Sequence, residues 1–328
     1  MQAKENALRI LNFDHPERMV NSPPWYQLTY LGCNHENLQT GLGHEQPVGS
    51  VWDDIWGTEF HKEMDGVMAF PRGNPLAEPA ALKDYIWPDP NDERLCGKIY
   101  SLVREYPGGD VFLAGQNRDT LWEKSYMLVG MENMMVYFFT EPEYVREILH
   151  RIMDFQLGIA AHYAGLGIEW ACLGDDLGTQ RGLLLGPGIV RDFLLPEYRR
   201  LFGFYQERGI KIFFHSCGYI EPLLETFMEL GVDVLDPVQA TANDLEKVRK
   251  ITQGRMALHG GISSGLVMSG PLDAIARDVR EKMWLLGGEG GYYPWADQGM
   301  PYPREHLEAL QRAIDAYGVY PLVDPYAE

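Results

Sequence analysis

The sequence has few basic residues and few cysteines. Its 328 residues include 28 Lys and Arg against 47 Asp and Glu, which gives a formal net charge of −19. Because no basic run offsets this charge, binding to nucleic acids, anionic membranes and highly anionic substrates is disfavoured. Only four cysteines occur, and they are too scattered for a disulfide framework at this length. We therefore expect a cytoplasmic protein with reduced thiols.

Long hydrophobic runs are also missing. No stretch is long and apolar enough to span a membrane, and residues 1–6 lack the charged and apolar regions of a signal peptide. No glycine-rich dinucleotide fingerprint, repeat or disordered linker is evident. With 45% hydrophobic and 12% aromatic residues, the chain can nevertheless bury a large core.

From about residue 95, short apolar runs alternate with longer segments of helical periodicity. About six such βα units fit into the last 220 residues, and this alternation is typical of a parallel sheet. Residues 1–95 are expected to form an N-terminal extension and the first barrel elements, with a loop or lid over 34–50 and a hairpin over 51–68. The sequence predicts a single α/β domain over residues 1–328, a (β/α)8 TIM barrel with an N-terminal extension.

Residues 209–218 contain an apolar run that ends in three polar side chains and a glycine, as in a buried strand of a parallel sheet. His215 and Cys217 are two residues apart, so on a strand both side chains point to one side. An imidazole and a thiolate that converge at a strand end make half of a zinc site. The alternative is a packed strand end in which Cys217 only fills space.

Other polar residues also follow predicted strands. Asp175 and Asp176 form an adjacent carboxylate pair, which is costly unless a cation or a proton is shared, and both are candidate catalytic residues; alternatively they cap a helix. His259 and Gln239 end two later strands and are candidates for catalysis and for substrate binding. The aromatic side chains near the first strand could wall an aryl-substrate pocket, although such runs are more often core; they include Trp25 and Tyr30.

Several stretches together resemble the uroporphyrinogen decarboxylase superfamily, closest to its corrinoid-linked zinc methyltransferase branch. The resemblance covers residues from about 50 to 312, in order. It is carried by Asp53-Asp54-Ile55-Trp56-Gly57, Gly174-Asp175-Asp176-Leu177-Gly178, His215-Ser216-Cys217-Gly218 and His259-Gly260-Gly261-Ile262. The resemblance implies a (β/α)8 barrel, zinc held by His215 and Cys217, and methyl transfer between a small substrate and the cobalt of a separate corrinoid protein.

The chain departs from this branch at one ligand. The resemblance places Gln298 where the second zinc-binding cysteine is expected, and no cysteine follows Cys217. The third ligand is therefore expected to be an oxygen from Asp175, Asp176 or Asp297, and Gln298 becomes a candidate substrate-binding residue. A carboxylate in place of a thiolate hardens the site and favours an oxygen substrate, such as a methyl ether in O-demethylation, although a thiol acceptor also fits.

Two other functions remain open. A metal-free decarboxylase of the uroporphyrinogen decarboxylase type would need cations for a polycarboxylate, but residues 26–33 contain none. A non-catalytic barrel that binds a corrinoid carrier is the other alternative. No stretch resembles a corrinoid-binding domain, so the corrinoid is expected on a partner protein.

Overall fold

The computed structural model describes residues 1–327 and shows an α/β fold in which a curled sheet of parallel strands is surrounded by helices. The strands are β1 (Trp25–Leu28), β2 (Val51–Asp53), β3 (Glu59–His61), β4 (Phe70–Gly73), β5 (Phe112–Asn117), β6 (Trp170–Gly174), β7 (Lys211–His215), β8 (Val234–Val238), β9 (Ala257–Ile262) and β10 (Tyr292–Ala296).

Helices connect the strands of the large sheet. They are α1 (Ala3–Leu11), α2 (Glu93–Leu102), α3 (Trp122–Val129), α4 (Met131–Thr140), α5 (Pro142–Gly165), α6 (Pro187–Ile189), α7 (Leu195–Gln206), α8 (Leu224–Glu229), α9 (Leu245–Thr252), α10 (Ser264–Ser269), α11 (Leu272–Gly287) and α12 (Arg304–Tyr317). Among residues 1–327, none of these helices combines the length and the hydropathy needed to cross a bilayer.

The large sheet contains seven parallel strands in the order β1-β5-β6-β7-β8-β9-β10. This confirms the predicted α/β TIM-barrel-like class, and the predicted βα units of the second part of the chain correspond to β5 through β10. The described residues supply seven strands to this sheet, where eight were expected. The reason lies in the N-terminal part: β2, β3 and β4 pair antiparallel with one another, so β1 alone joins the parallel sheet.

Alternating side chains divide the large sheet into two faces. One face packs against the surrounding helices; it includes Leu113, Leu173, Phe214 and Leu258. The opposite face forms a separate cluster inside the curl of the sheet, with members that include Phe112, Trp170, Phe213, Val234 and Tyr293. Residues of α1 belong to this inner cluster, so α1 covers the amino ends of the strands. The inner face at the carboxyl ends is left for polar residues.

Arg249 of α9 ties the last part of the sheet to the helices around it. Its side chain is buried, and its guanidinium donates to the backbone carbonyls of Leu286 and Gly291 at 3.1 and 2.9 Å. It also donates to the carbonyl of Met256 at 3.0 Å and to the hydroxyl of Thr252 at 3.0 Å. These contacts fix where β9 and β10 begin.

We expect the substitution Arg249→Met to destabilise the fold by about 3 kcal/mol, because it leaves buried carbonyls without their charged donor. The control is Arg255→Met, which removes an exposed ion pair with Glu225 and should cost less than about 1 kcal/mol. Urea denaturation of the two variants gives the comparison. Equal losses of unfolding free energy would contradict the anchoring role of Arg249.

Candidate metal centre

The polar residues predicted at the strand ends come together because of the register of three neighbouring strands. Gly174 of β6 is paired with His215 of β7, and His215 is paired with Asp236 of β8. All three lie on the inner face of the sheet, since they continue the alternation of Cys172, Phe213 and Val234. The strand-end side chains therefore point into one space.

The loops that follow β6 and β7 are joined by hydrogen bonds. The Leu177 amide donates to the Ser216 hydroxyl at 3.1 Å, and the Tyr219 amide donates to the Thr179 carbonyl at 2.7 Å. Gly218 has a φ of +86°, and a Cβ at this position would lie 2.4 Å from a backbone atom of Gly178. Glycine is therefore required here for the two loops to approach.

Asp176, His215 and Cys217 form a cluster of three potential metal ligands, with one donor atom from each within 4.8 Å of the others. His215 Nε2 lies 3.2 Å from Cys217 Sγ and 3.4 Å from Asp176 Oδ1. All three side chains are half-buried. A carboxylate oxygen, an imidazole nitrogen and a thiolate sulfur suit zinc, and three protein ligands leave a fourth position open. The residues present therefore fit a zinc ion.

Asp236 links two histidines behind this cluster. Its carboxylate lies 2.7 Å from His215 Nδ1 and 2.5 Å from His259 Nδ1. Burial raises the pKa of Asp236, but the two imidazoles outweigh this effect and hold the pKa well below its ordinary value. His215 therefore donates through Nδ1 to a carboxylate, which leaves Nε2 directed toward Asp176 and Cys217. This arrangement is common behind metal-binding histidines.

The pKa of His215 reflects the same contacts. Burial lowers this pKa, whereas the hydrogen bonds with the carboxylates of Asp176 and Asp236 raise it well above its ordinary value. Without a metal ion, the ring thus binds a second proton on Nε2 more readily than an ordinary imidazole does. A zinc ion would take the place of that proton, because both need the same lone pair.

The adjacent carboxylates Asp175 and Asp176 lie in different environments. Asp175 is fully buried, and its oxygens accept hydrogen bonds from the amides of residues 121, 122 and 123 at 2.7, 3.1 and 2.8 Å. The Tyr198 hydroxyl also donates to it at 2.7 Å. Asp175 therefore caps the first turn of α3 and belongs outside the ligand cluster, whereas Asp176 belongs to it.

The other predicted residues from the last strands divide in the same way. Asp297 lines the same cavity as the cluster, but its oxygens accept hydrogen bonds from the Ala240 amide and from Ser264. It is not among the three clustered ligands. Gln298 also lines the cavity, and its Nε2 donates to Cys217 Sγ at 3.5 Å. Gln298 thus touches the candidate metal centre through the sulfur.

Two predicted substrate-binding residues lie outside the cavity. Tyr30 is 1% exposed, and its ring packs edge-on against Phe155 in the core between sheet and helices. The Gln239 side chain is buried, and it accepts a hydrogen bond from the Gly218 amide. Both placements correct the expectation of substrate contact: Tyr30 packs in the core, and Gln239 holds the loop that carries Cys217.

A cavity of about 580 Å³ opens beside the cluster at the carboxyl ends of the strands. Its lining includes the predicted residues Trp25 and His259. His259 donates through Nε2 to the Asn21 carbonyl at 3.0 Å, in addition to its contact with Asp236. The lining also contains residues that sequence reasoning missed, namely Gln27, Gln116, Arg118, Asp119, Glu123 and Asp236. Of these, Gln27, Gln116 and Asp236 carried a sequence signal, as polar residues within largely apolar strands.

Glu123 presents its carboxyl group to the cavity. Burial and the nearby carboxylates of Asp119 and Asp176 raise the pKa of Glu123 well above its ordinary value. Its Oε2 accepts a hydrogen bond from the Asp176 amide at 3.2 Å. The carboxyl group beside the candidate metal ligands therefore retains a proton more readily than an ordinary glutamate does.

The chain is similar to proteins of known family and structure. Residues 71–293 match the family described as uroporphyrinogen decarboxylase. A methyltransferase from Methanosarcina mazei is 18% identical with a TM-score of 0.72, over 97% of this chain and 99% of that chain. A B12-independent methionine synthase from Shewanella sp. W3-18-1 is 10% identical with a TM-score of 0.46, over 66% and 62%. No curated protein matches the sequence. The first structural likeness shows the shared fold.

The two adjacent aspartates should respond differently to substitution. We expect Asp175→Ala to lower the free energy of unfolding by about 3 kcal/mol, since the helix cap and the Tyr198 contact are lost. Asp176→Ala should leave stability nearly unchanged and abolish tight zinc binding. Thermal denaturation and zinc titration of both variants measure the two effects. Zinc binding that survives in Asp176→Ala would count against the cluster.

Asp236 should control metal affinity without touching the metal. We expect Asp236→Asn to weaken zinc binding about 10- to 100-fold, because His215 loses its charged hydrogen-bond acceptor. The matched control is Asp233→Asn, just before β8, where the carboxylate pairs with Lys211 at the other end of the strand. Its zinc affinity should equal that of the unsubstituted protein. Similar affinities for both variants would rule out the positioning role.

Proposed function

Since the chain belongs to the uroporphyrinogen decarboxylase family, we propose that it is a zinc-dependent methyltransferase of the corrinoid-linked branch. In this proposal, a methyl group moves between a small substrate and the cobalt of a corrinoid protein. The observation that carries the proposal is the cluster of Asp176, His215 and Cys217 at the carboxyl ends of the strands. Active sites of this fold lie at that face.

The donor set supports zinc in particular. Zinc accepts oxygen, nitrogen and sulfur ligands together, and catalytic zinc sites use three protein ligands and an open position. When bound, zinc supplies Lewis-acid chemistry without redox change, so that it can draw charge from a leaving oxygen or hold a thiol as thiolate. Asp176 and Cys217 would supply two negative charges and His215 a neutral nitrogen.

The remaining residues orient these ligands. Asp236 accepts from His215 Nδ1 and so fixes the ring with Nε2 directed toward the position of the metal. The Cys217 amide donates to Asp176 Oδ1 at 2.9 Å, which fixes the carboxylate against the cysteine loop. Gln298 donates to the cysteine sulfur. The chain's own contacts thus hold the three donors in place.

An oxygen substrate suits this site better than a thiol. One thiolate and one carboxylate make a harder site than two thiolates, and harder sites favour oxygen ligands. A methyl ether would therefore be the methyl donor and Co(I) of the corrinoid the acceptor, with an alkoxide or phenoxide as the leaving group. The cavity of about 580 Å³ is of the size that holds small molecules.

The charges around the cavity disfavour decarboxylation of a polycarboxylate. Among the described lining residues, Arg118 is the one Arg or Lys, and it is accompanied by several acids. A substrate with many carboxylates usually needs several cations, since each ion pair must repay its desolvation. The single guanidinium does not meet that need. A non-catalytic carrier-binding barrel has no specific observation in its favour.

We expect purified protein to bind one zinc ion per chain and to transfer methyl groups from aryl methyl ethers to cob(I)alamin. Loss of a residue that only hydrogen-bonds to a metal ligand weakens metal binding by up to about 100-fold. Cys217→Ser removes a ligand itself, so zinc affinity should fall by more than this and methyl transfer should stop. Zinc analysis and the absorbance of methylcobalamin measure these effects.

Cys172→Ser is the matched control, because Cys172 lines the same cavity but lies outside the ligand cluster. This variant should keep its zinc. Full methyl transfer by zinc-free protein would contradict the zinc-dependent mechanism, and carrier binding without turnover would favour the non-catalytic alternative.

A further inference from the structure

Arg118 is the one Arg or Lys among the described residues that line the cavity, and it directly follows β5. Its side chain is about one-third exposed. Arg118 therefore lines the same cavity as Asp176, His215 and Cys217, and part of its side chain is accessible to a ligand. A permanent positive charge in this acidic cavity needs an explanation.

No carboxylate among the described residues hydrogen-bonds to Arg118. The nearest is Asp119, whose Oδ1 lies 3.9 Å from Arg118 Nε, and the other Asp119 oxygen lies 2.6 Å from His35 Nε2. The guanidinium contacts the sulfur of Met68 instead. In a chain with 47 acids and 28 Lys and Arg, acidic partners are abundant, so the donors of Arg118 are left available to a ligand.

Other arginines of the fold do pair with acidic side chains. Arg255 forms two hydrogen bonds with Glu225, at 2.9 and 2.8 Å. Arg200 pairs with both Glu197 and Asp154. A planar guanidinium binds carboxylates and phosphates in this forked manner, and of the two the singly charged carboxylate suits a cavity lined by one cation and several acids. The chemistry that fits Arg118 is therefore a carboxylate supplied by the substrate.

The rest of the cavity provides an aromatic surface. Trp25 and Phe213 line it and pack edge to face, with ring centroids 5.0 Å apart. Trp295 lines it as well. Aromatic walls favour a flat aromatic ligand through offset or edge-to-face contacts. A single cation among several acids also limits the ligand to one negative group, because a second carboxylate would meet like charge.

We propose that Arg118 is a specificity-determining residue that binds the carboxylate of an aromatic monocarboxylate, whose ring lies against Trp25 and Phe213. The methyl group of this substrate is directed toward the metal cluster, and this part of the inference rests on the proposed function. The Arg118 contact itself does not require zinc. The substrate class is thus a methoxylated aromatic acid.

Calorimetry on the full-length protein, with and without zinc, tests the inference with three matched probes. They are 4-methoxybenzoate, the neutral 4-methoxybenzamide and the cationic 4-methoxybenzylammonium. We expect the carboxylate to bind at least about tenfold more tightly than the amide, because it forms a charged hydrogen-bond pair. The cation should bind most weakly.

Arg118→Gln should remove the preference for the carboxylate, and Arg118→Lys should keep part of it. Arg181→Gln is the control for net charge, because Arg181 is exposed and lies outside the cavity lining. It should retain the full preference. Zinc affinity should be the same in all of these variants, which verifies that they are folded at the site.

Three results would overturn the inference: tighter binding of the cation, a preference for the carboxylate that survives in Arg118→Gln, or no binding of any probe. The proposed function fails separately. A preference that depends on Arg118 in a protein that never binds zinc would leave the carboxylate site standing and refute the zinc-dependent transfer. Zinc binding without a preference for the carboxylate probe would refute the carboxylate site and leave the zinc-dependent transfer standing.

Discussion

The hydrogen bond from His215 Nδ1 to Asp236 fixes the geometry on which the candidate metal centre depends. An imidazole at the end of a strand can rotate unless its second nitrogen is held. Asp236 provides this restraint at 2.7 Å and is itself held by His259, which donates to the Asn21 carbonyl. The chain of contacts runs from the segment before β1 to β7. The N-terminal part of the chain therefore belongs to the site.

On the inner face of the sheet, packed apolar side chains lie at the amino ends of the strands, and the polar side chains of the site lie at the carboxyl ends. The amino ends are filled by aromatic and aliphatic side chains and covered by α1. Ala114, Cys172 and Gly174 occupy inner positions on β5 and β6, and their small volumes leave room above the filled layer. The cavity lies where large residues give way to small ones. The position of the cavity therefore follows from side-chain volume. The acidic side chains of the cavity lie above a packed apolar layer that excludes water.

Much of the fold could be predicted from the sequence, because each βα unit carries a local pattern. That the sheet has seven parallel strands and not eight could not be predicted, since β2, β3 and β4 pair with one another through contacts that no local pattern shows. His215 and Cys217 were identified as a pair because their spacing on a strand is local information. Asp175 and Asp176 could not be told apart, because adjacent residues face opposite sides and the sequence does not say which side is the cavity.

Residues whose role depends on distant partners were also beyond local reasoning. Glu123 follows no strand, and its raised pKa depends on burial and on carboxylates from other segments. Arg118 was missed because it stands out only by having no hydrogen-bonded carboxylate among the described residues. A sequence does not show which charged side chains pair. Tyr30 was placed in the pocket because aromatic residues near a strand suit both a pocket and a core. In the structure, Tyr30 is buried against Phe155 and therefore belongs to the core.

In the proposed function, the occurrence of Gln298 where the resemblance places a second cysteine bears on the choice of substrate. Gln298 donates to Cys217 Sγ, and a hydrogen bond to a thiolate lowers the charge that the sulfur gives to a metal. Asp176 would add an oxygen ligand, which gives less charge than a second sulfur would. Both effects would leave a bound zinc ion more electron-poor and so a stronger Lewis acid. Such an ion would draw charge from an ether oxygen during methyl loss, whereas a thiolate-rich site would better serve a thiol acceptor.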